Sequence, residues 1–203
     1  MNKLMSITAA LLLGAAPSLA SAADWTLDAA HSSINWDVDH MVISETSGQF
    51  KTFDVKITNF DGGDASKAKV TVTVDTTSID SDNEKRDEHL KGPDFFDTAK
   101  YPTATFESKS IKKVSDKKYE VTGDFTLHGV TKTITLPVEF RGTVKDPWGN
   151  TKAGFKASTT IDRTDYGLTW DKTLETGGLV VGHDVDLVFN IEVQQAAAEQ
   201  PKK

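Results

Sequence analysis

The stretch YEVTGDFTLHGVTKTITLPVEF, residues 119–140, decides the fold class of this chain. Apolar or aromatic residues alternate with polar ones over residues 119–127, and the same alternation returns over residues 134–140. Successive side chains of a strand point to opposite faces, so this period of two predicts two strands with one dry and one wet face. The turn sequence HGV, residues 128–130, follows the first of them, and such a short turn predicts an antiparallel hairpin.

The alternation extends outward from this hairpin along most of the chain. It recurs in residues 34–40, 55–57, 70–74, 104–108, 155–161 and 185–193. Turn residues such as Gly, Asp and Asn stand between several of these segments. About eight antiparallel strands joined mainly by hairpins predict an all-β fold, either an up-and-down barrel or a sandwich. A barrel of about eight strands has an interior wide enough for side chains or for one small ligand.

Two positions do not fit regular strands. Phe50 and Phe53 differ in parity, which predicts a bend or bulge between them. Pro137 lies inside a predicted strand but has no N–H to donate, which predicts a bulge or a locally unpaired position there.

The first residues predict export. A single basic residue, Lys3, precedes an apolar run over residues 7–13, and the small residues Ala20-Ser21-Ala22 follow. This order is typical of a secretory signal peptide, here residues 1–22, and the apolar run is too short to span a bilayer. We therefore expect a periplasmic protein, or an extracellular one if the source has no outer membrane, without stable membrane insertion.

Composition narrows the class of function. The chain carries 23 Lys and Arg against 30 Asp and Glu, a net charge of −7, which argues against a nucleic-acid partner. It contains no cysteine, which excludes disulfides, thiol nucleophiles and thiolate metal sites. Residues 23–195 form one predicted domain, and residues 196–203 form a polar, flexible tail.

The segment NEKRDEHLKGPDFFD, residues 83–97, differs from its surroundings in its run of ionisable residues. Ser81 and Glu84 match a capping box, so we expect a short surface helix over residues 82–91 with Phe95-Phe96 anchoring it after its end. His89 has basic residues, not acids, three and four positions before it, so the spacing predicts no metal site. The chain also lacks a G-x-S-x-G motif, and no catalytic residue is predicted.

Five stretches of the chain together resemble one family, the YceI-like family of bacterial lipid- and polyisoprenoid-binding proteins. They are DAAHSSINWDVDHMVISETSGQF, TTSIDSDNEKRDEHLKGPDFFDTAKYPTATFES, VTGDFTLHGVTKTITLPVEF, DPWGNTKAGFKASTTIDRTDYGLTW and GGLVVGHDVDL. The resemblance implies a lipocalin-like barrel enclosing a long apolar channel, with one short helix near the barrel mouth. It also implies binding of an isoprenoid or another amphiphilic lipid for transport, storage or stress response, without catalysis. The segment DKTLETGG, residues 171–178, is longer than the usual connection in that family.

This resemblance, together with the inward parity of the strands, gives a set of candidate site residues. The predicted channel wall consists of Trp36, Val38, Phe50, Phe95, Phe96, Phe106, Phe125, Phe140 and Phe155. The predicted head-group contacts are His40, Lys85 and Arg86. No cofactor or metal is expected beyond the bound lipid, and the protein is expected as a monomer or a homodimer. Two alternatives stay open: a hydrolase that acts on a lipid in the same pocket, and a structural protein whose barrel is filled by side chains.

Overall fold

The computed structural model of the protein describes residues 24–173, 175 and 177–196, and these residues form one antiparallel sheet of 11 strands. The predicted signal peptide, residues 1–22, lies outside them, as does all of the predicted tail except Ala196. The strands are β1 (Trp25–Leu27), β2 (Ser33–His40), β3 (Ser44–Phe50), β4 (Phe53–Thr58), β5 (Lys69–Asp75), β6 (Ile79–Asp80), β7 (Thr103–Ser115), β8 (Lys118–Leu127), β9 (Val130–Lys145), β10 (Thr151–Asp162) and β11 (Val181–Gln195). One α-helix, α1 (Glu84–Lys91), lies between β6 and β7.

The sheet closes into a barrel because one edge of β11 pairs with two shorter strands. Residues 181–190 pair with β2, and residues 193–195 pair with β1. A 3-10 turn at Ala29–His31 separates β1 from β2, so the two form successive halves of one wall strand. β3 with β4, and β5 with β6, divide in the same way, which gives the barrel eight wall strands. The predicted all-β antiparallel barrel of about eight strands with one short helix is therefore confirmed.

The two irregular positions have different outcomes. β3 ends at Phe50 and β4 begins at Phe53, so the predicted break between them is present. Pro137 pairs with Glu120 of β8 in unbroken register, so a bulge at Pro137 is wrong. On the side of β9 that faces β10, strand pairing ends at Val138, so Pro137 has no partner residue in β10.

The start of α1 differs from the prediction. The N-cap is Asn83, whose side-chain oxygen accepts a hydrogen bond from the Arg86 N–H at 3.1 Å, and the helix begins at Glu84. Ser81 instead donates its hydroxyl to Asp87 at 2.5 Å, and Asp87 also accepts the Ser81 N–H at 2.9 Å. Asp82 has φ +58°, outside helical geometry, so the predicted cap at Ser81 is wrong.

One end of the barrel is closed by an aromatic plug formed by Trp25, Phe60, Phe140 and Phe155. Phe60 follows β4 and is fully buried, and its backbone carbonyl accepts a hydrogen bond from the Trp25 indole N–H at 3.0 Å. The Phe60 ring lies 5.7 Å from Phe140 and 5.6 Å from Phe155, between ring centroids. Complete burial of a side chain of this size is worth roughly 1.5–3 kcal/mol, so the plug is a stable floor for the barrel.

Candidate functional site

Two apolar cavities follow one another along the barrel axis. The inner cavity, of about 130 Å³, lies against the aromatic plug, and the outer cavity, of about 120 Å³, lies toward α1. Both are lined by the same five residues at their junction, here called the waist: Val74, Ala104, Phe125, Leu187 and Phe189. The two cavities therefore form one channel that narrows at the waist.

The channel wall is almost entirely apolar. Among the described residues that line the inner cavity, only Thr105, Lys156 and Thr159 carry aliphatic polar side chains. In the part of the chain that the structure describes, Arg163 is the one charged residue that lines the outer cavity. Among the described residues that line the two cavities, apolar side chains predominate, so the chemistry of the linings suits a hydrocarbon chain.

The outer cavity opens into a more polar depression, here called the vestibule. The two share Trp36, Val38, Leu90, Phe95 and Val181. The vestibule is further lined by Asp39, His40, Thr46, Arg86, His89, Trp170 and Val180. Polarity thus rises from the inner cavity to the vestibule, as in a site for an amphiphile.

The predicted wall residues fall along this channel, with one exception. The residues that line one or both cavities are Trp36, Val38, Phe50, Phe95, Phe96, Phe106, Phe125 and Phe155. Phe140 has the inward parity but lies at the height of the aromatic plug, where its ring centroid is 5.3 Å from that of Phe155. It lines neither cavity, and closes the channel floor instead.

The three predicted head-group residues lie in different environments. His40 is half-buried at the vestibule. Arg86 also lines the vestibule, but its Nε and Nη2 atoms donate to the hydroxyl and the carbonyl of Ser81, both at 2.7 Å. Lys85 is exposed and is absent from the vestibule lining, because α1 presents Arg86, His89 and Leu90, spaced by three and four residues, to that side.

An aromatic contact at the vestibule was missed by sequence reasoning. The ring of Trp170 lies 5.1 Å from Phe95 and 5.2 Å from His89, and His89 lies 5.0 Å from Phe95. The Nε2 atom of His89 is also within 2.9 Å of Asp94. Trp170 belongs to a long connection without alternation, and the length of that connection was the only signal in the sequence.

Arg163, also missed, fixes the long connection between β10 and β11 against the outer cavity. It is 4% exposed, and its guanidinium donates to the carbonyls of Gly182 at 2.7 Å, Trp170 at 2.9 Å and Val181 at 3.1 Å. Burial lowers the pKa of Arg163 from its ordinary value. Backbone carbonyls from both ends of the connection thereby converge on one cation, which holds the vestibule wall in place.

Asp28, His31 and Glu192 place potential ligand atoms within 4.8 Å of one another, outside the channel. The Lys152 ammonium already contacts both carboxylates, 3.3 Å from Glu192 and closer to Asp28. Hydrogen bonds from Lys152 and then His31 lower the pKa of Asp28 to about 2. Because these charges are compensated within the protein, the cluster fits an ionic lock between strands better than a metal site.

No helix in the described part of the chain is long and apolar enough to cross a membrane.

Comparisons with known proteins agree with this architecture. The YceI-like domain model matches residues 25–193. Protein YceI of Escherichia coli O157:H7 is 41% identical over 197 residues, which cover 96% of this chain and 98% of the relative. The crystal structure of Burkholderia cenocepacia BcnA has a TM-score of 0.71 at 26% identity, covering 82% of this chain and 98% of that one. A polyisoprenoid binding domain from Saccharophagus degradans has a TM-score of 0.65, covering 85% and 98%, and its 18% identity shows the shared fold alone.

Proposed function

The chain belongs to the YceI-like family, and we propose that it is a binding protein that holds the apolar chain of an isoprenoid or similar amphiphilic lipid inside its barrel. The observation that carries this proposal is the apolar channel that runs from the aromatic plug to the vestibule. The solved polyisoprenoid binding domain with the same fold supports isoprenoids as the ligand class. A wall that consists mainly of apolar contact surface supports binding over chemistry.

The size of the channel sets the expected gain from burial. A hydrocarbon-lined cavity of about 150 Å³ stays dry and takes up a benzene molecule. The cavities of about 130 and 120 Å³ are each close to that size, so together they hold on the order of a dozen carbon atoms. At about 0.8 kcal/mol per buried methylene, a dozen carbons give about 10 kcal/mol before the cost of association.

The direction of binding follows from the two ends of the channel. Burying a polar head group against the aromatic plug leaves it without hydrogen-bond partners, which costs several kcal/mol. The vestibule offers His40 and His89 as partners for a head group. We therefore assign the apolar tail to the two cavities and the head group to the vestibule, with Arg86 contributing charge while it remains bonded to Ser81.

The site of action that we propose is the periplasm, reached through the predicted signal peptide at residues 1–22. There the protein carries or stores its lipid, either as a monomer or as a homodimer. The support is the sequence pattern at the start of the chain together with a binding channel suited to a membrane-derived molecule.

Native mass spectrometry of the purified protein tests the proposal directly. We expect a co-purifying molecule, or stoichiometric uptake of added geranylgeraniol, in a complex that dissociates without chemical change. Conversion of the added lipid to a product indicates the hydrolase alternative. A protein that remains bare and takes up no apolar probe indicates a filled structural barrel, and contradicts the proposal.

A further inference from the structure

The turn between β2 and β3 presents three consecutive apolar side chains to solvent. Met41, Val42 and Ile43, here called the apolar tip, are 39%, 70% and 87% exposed. Single exposed apolar residues are ordinary on protein surfaces, but a contiguous exposed group indicates an interaction site. Turns are normally built from Gly, Asn, Asp or Ser, so the composition of this one calls for a physical reason.

The backbone of the apolar tip is strained. The Ile43 N–H donates to the His40 carbonyl at 3.3 Å, which makes Met41 and Val42 the central residues of the turn. Their φ angles are +52° and +65°, the left-handed region that type I′ turns require and that Asn-Gly fills without strain. A β-branched residue such as Val42 is disfavoured there. The turn therefore has apolar residues at positions where Asn-Gly would cause less backbone strain. Such strain is found at functional sites.

The apolar tip lies on the rim of the vestibule. His40, which precedes it, lines the vestibule, and the Met41 N–H donates at 3.0 Å to the carbonyl of Val180, another vestibule residue. Val42 lies close to Gly178: a Cβ atom added to Gly178 would be 3.0 Å from the Cγ2 atom of Val42. The tip is thus continuous with the opening of the channel.

We propose that the apolar tip inserts into the hydrocarbon surface of a lipid bilayer and holds the vestibule against it while a lipid passes between bilayer and channel. This inference rests on the proposed function, since a bilayer is where an isoprenoid lipid resides. Insertion relieves the exposure of all three side chains at once, and the strained turn keeps them pointing away from the barrel.

Charge and area favour the hydrocarbon surface of a bilayer over an anionic surface and over a protein partner. The net charge of −7 and the neighbouring acids Asp39 and Glu45 disfavour attraction to an anionic surface, so contact depends on apolar insertion. A stable protein interface buries roughly 800 Å² on each partner, and three side chains supply only a fraction of that area. A small apolar wedge instead suits brief, reversible contact with lipid.

The test compares Val42→Asn/Ile43→Ser with a control, Trp148→Ser. Trp148 is 85% exposed in the β9–β10 turn, and the pairing of β11 places that turn at the barrel end opposite the apolar tip. Each protein is loaded with anthraniloyl-labelled geranylgeraniol and mixed with phosphatidylcholine vesicles in a stopped-flow fluorimeter. We expect the wild-type and control transfer rates to rise with vesicle concentration, as collision requires. The tip variant should transfer at least about tenfold more slowly, at a rate independent of vesicle concentration.

A second measurement separates lost docking from lost folding. Asn at position 42 relieves the positive φ, so the tip variant should melt no lower than wild type by circular dichroism while transferring more slowly. A wild-type rate independent of vesicle concentration overturns the inference, as does equal slowing by Trp148→Ser. A dimer in sedimentation that the tip variant loses overturns it in favour of a second copy.

The outcomes for docking and for lipid binding remain distinguishable. If wild-type protein takes up none of the labelled probe, the proposed function fails. Flotation of unloaded protein with the same vesicles still tests the apolar tip, and flotation that Val42→Asn/Ile43→Ser abolishes supports it. Loading without any flotation or vesicle-dependent transfer leaves the binding function standing and refutes the docking inference.

Discussion

Substitution of Ala104 by Leu should convert the channel into a site for short chains only. Ala104 is buried on β7 and lines both cavities at the waist, so three added carbon atoms obstruct the passage to the inner cavity. The inner cavity, of about 130 Å³, holds roughly half of the expected dozen carbons. Losing about six buried groups at about 0.8 kcal/mol each removes about 5 kcal/mol, or roughly a thousandfold or more in affinity.

Competitive displacement of a fluorescent probe by alcohols of different length measures this effect. Farnesol should lose most of its affinity for Ala104→Leu, whereas 1-hexanol, which fits within the outer cavity, should bind almost as it does to wild type. Thr103→Leu is the matched control, because Thr103 is exposed on the same strand. Circular dichroism melting checks that overpacking, which typically costs 1–3 kcal/mol, has not unfolded the barrel. Equal losses for the two alcohols, or unchanged farnesol binding, refute a tail that reaches the inner cavity.

Three further changes test the fold and the wall. Asp28→Asn should lower the free energy of unfolding near neutral pH by about 2 kcal/mol, because Lys152 lowers the pKa of Asp28 to about 2. In the wild-type protein this stabilisation is present above pH 3.8 and is lost as the pH falls toward 2. Urea titrations that show the same loss of stability at acid pH in both proteins contradict the ionic lock. Gly48→Ala should cost at least about 2 kcal/mol in thermal unfolding, because the new Cβ overlaps the Trp36 ring, and an unchanged melting temperature excludes that overlap. Phe106→Asp should abolish probe uptake, since a charge in the channel is expensive to desolvate, and a folded variant with normal uptake would show that the side chain faces elsewhere.

The parts of the fold that are local in the chain could be predicted from sequence. A long strand in which apolar and polar residues alternate, such as β8, repeats its inward and outward positions often enough for the period of two to be recognised. β1 and β6 have three and two residues, so neither has a period, and both were missed. Their pairing is decided by β11 and β3, which are far away in the sequence.

Helix capping shows a different limit, in which two local solutions compete. Ser81 and Glu84 have the spacing of a capping box, but Asn83 offers the same oxygen two residues later. In the structure Ser81 donates hydrogen bonds to Asp87 and accepts one from Arg86. Ser81 therefore serves as an anchor for the helix. Sequence spacing alone does not rank such alternatives, because their free energies differ by only about 1 kcal/mol.

Parity predicts the side of a barrel wall on which a residue lies, but not its height along the barrel axis. Phe125 and Phe140 have the same inward parity, yet Phe125 lies at the waist and Phe140 lies in the plug. Residues of the β10–β11 connection do not alternate between two faces, so the sequence pattern could not place Arg163 at the outer cavity or Trp170 at the vestibule. Their positions depend on backbone carbonyls and rings brought together only in the folded chain.

If the protein binds an amphiphile as we propose, the closed floor and the polar vestibule predict that it recognises the two ends of that molecule separately. Phe60 and Phe140 pack together at the end of the barrel opposite the vestibule, so we expect a tail to enter from the vestibule side. In the complex that we propose, chain length would be measured by how far the tail passes Ala104, and the head group would be recognised about His40 independently of that depth. Substitutions at the waist should therefore change chain-length preference at constant head-group preference, and substitutions at the vestibule should do the reverse. Ala104 pairs with Val74, whereas His40 pairs with Val181 and Ser44, so these two positions share no strand partner and their effects on binding free energy should nearly add.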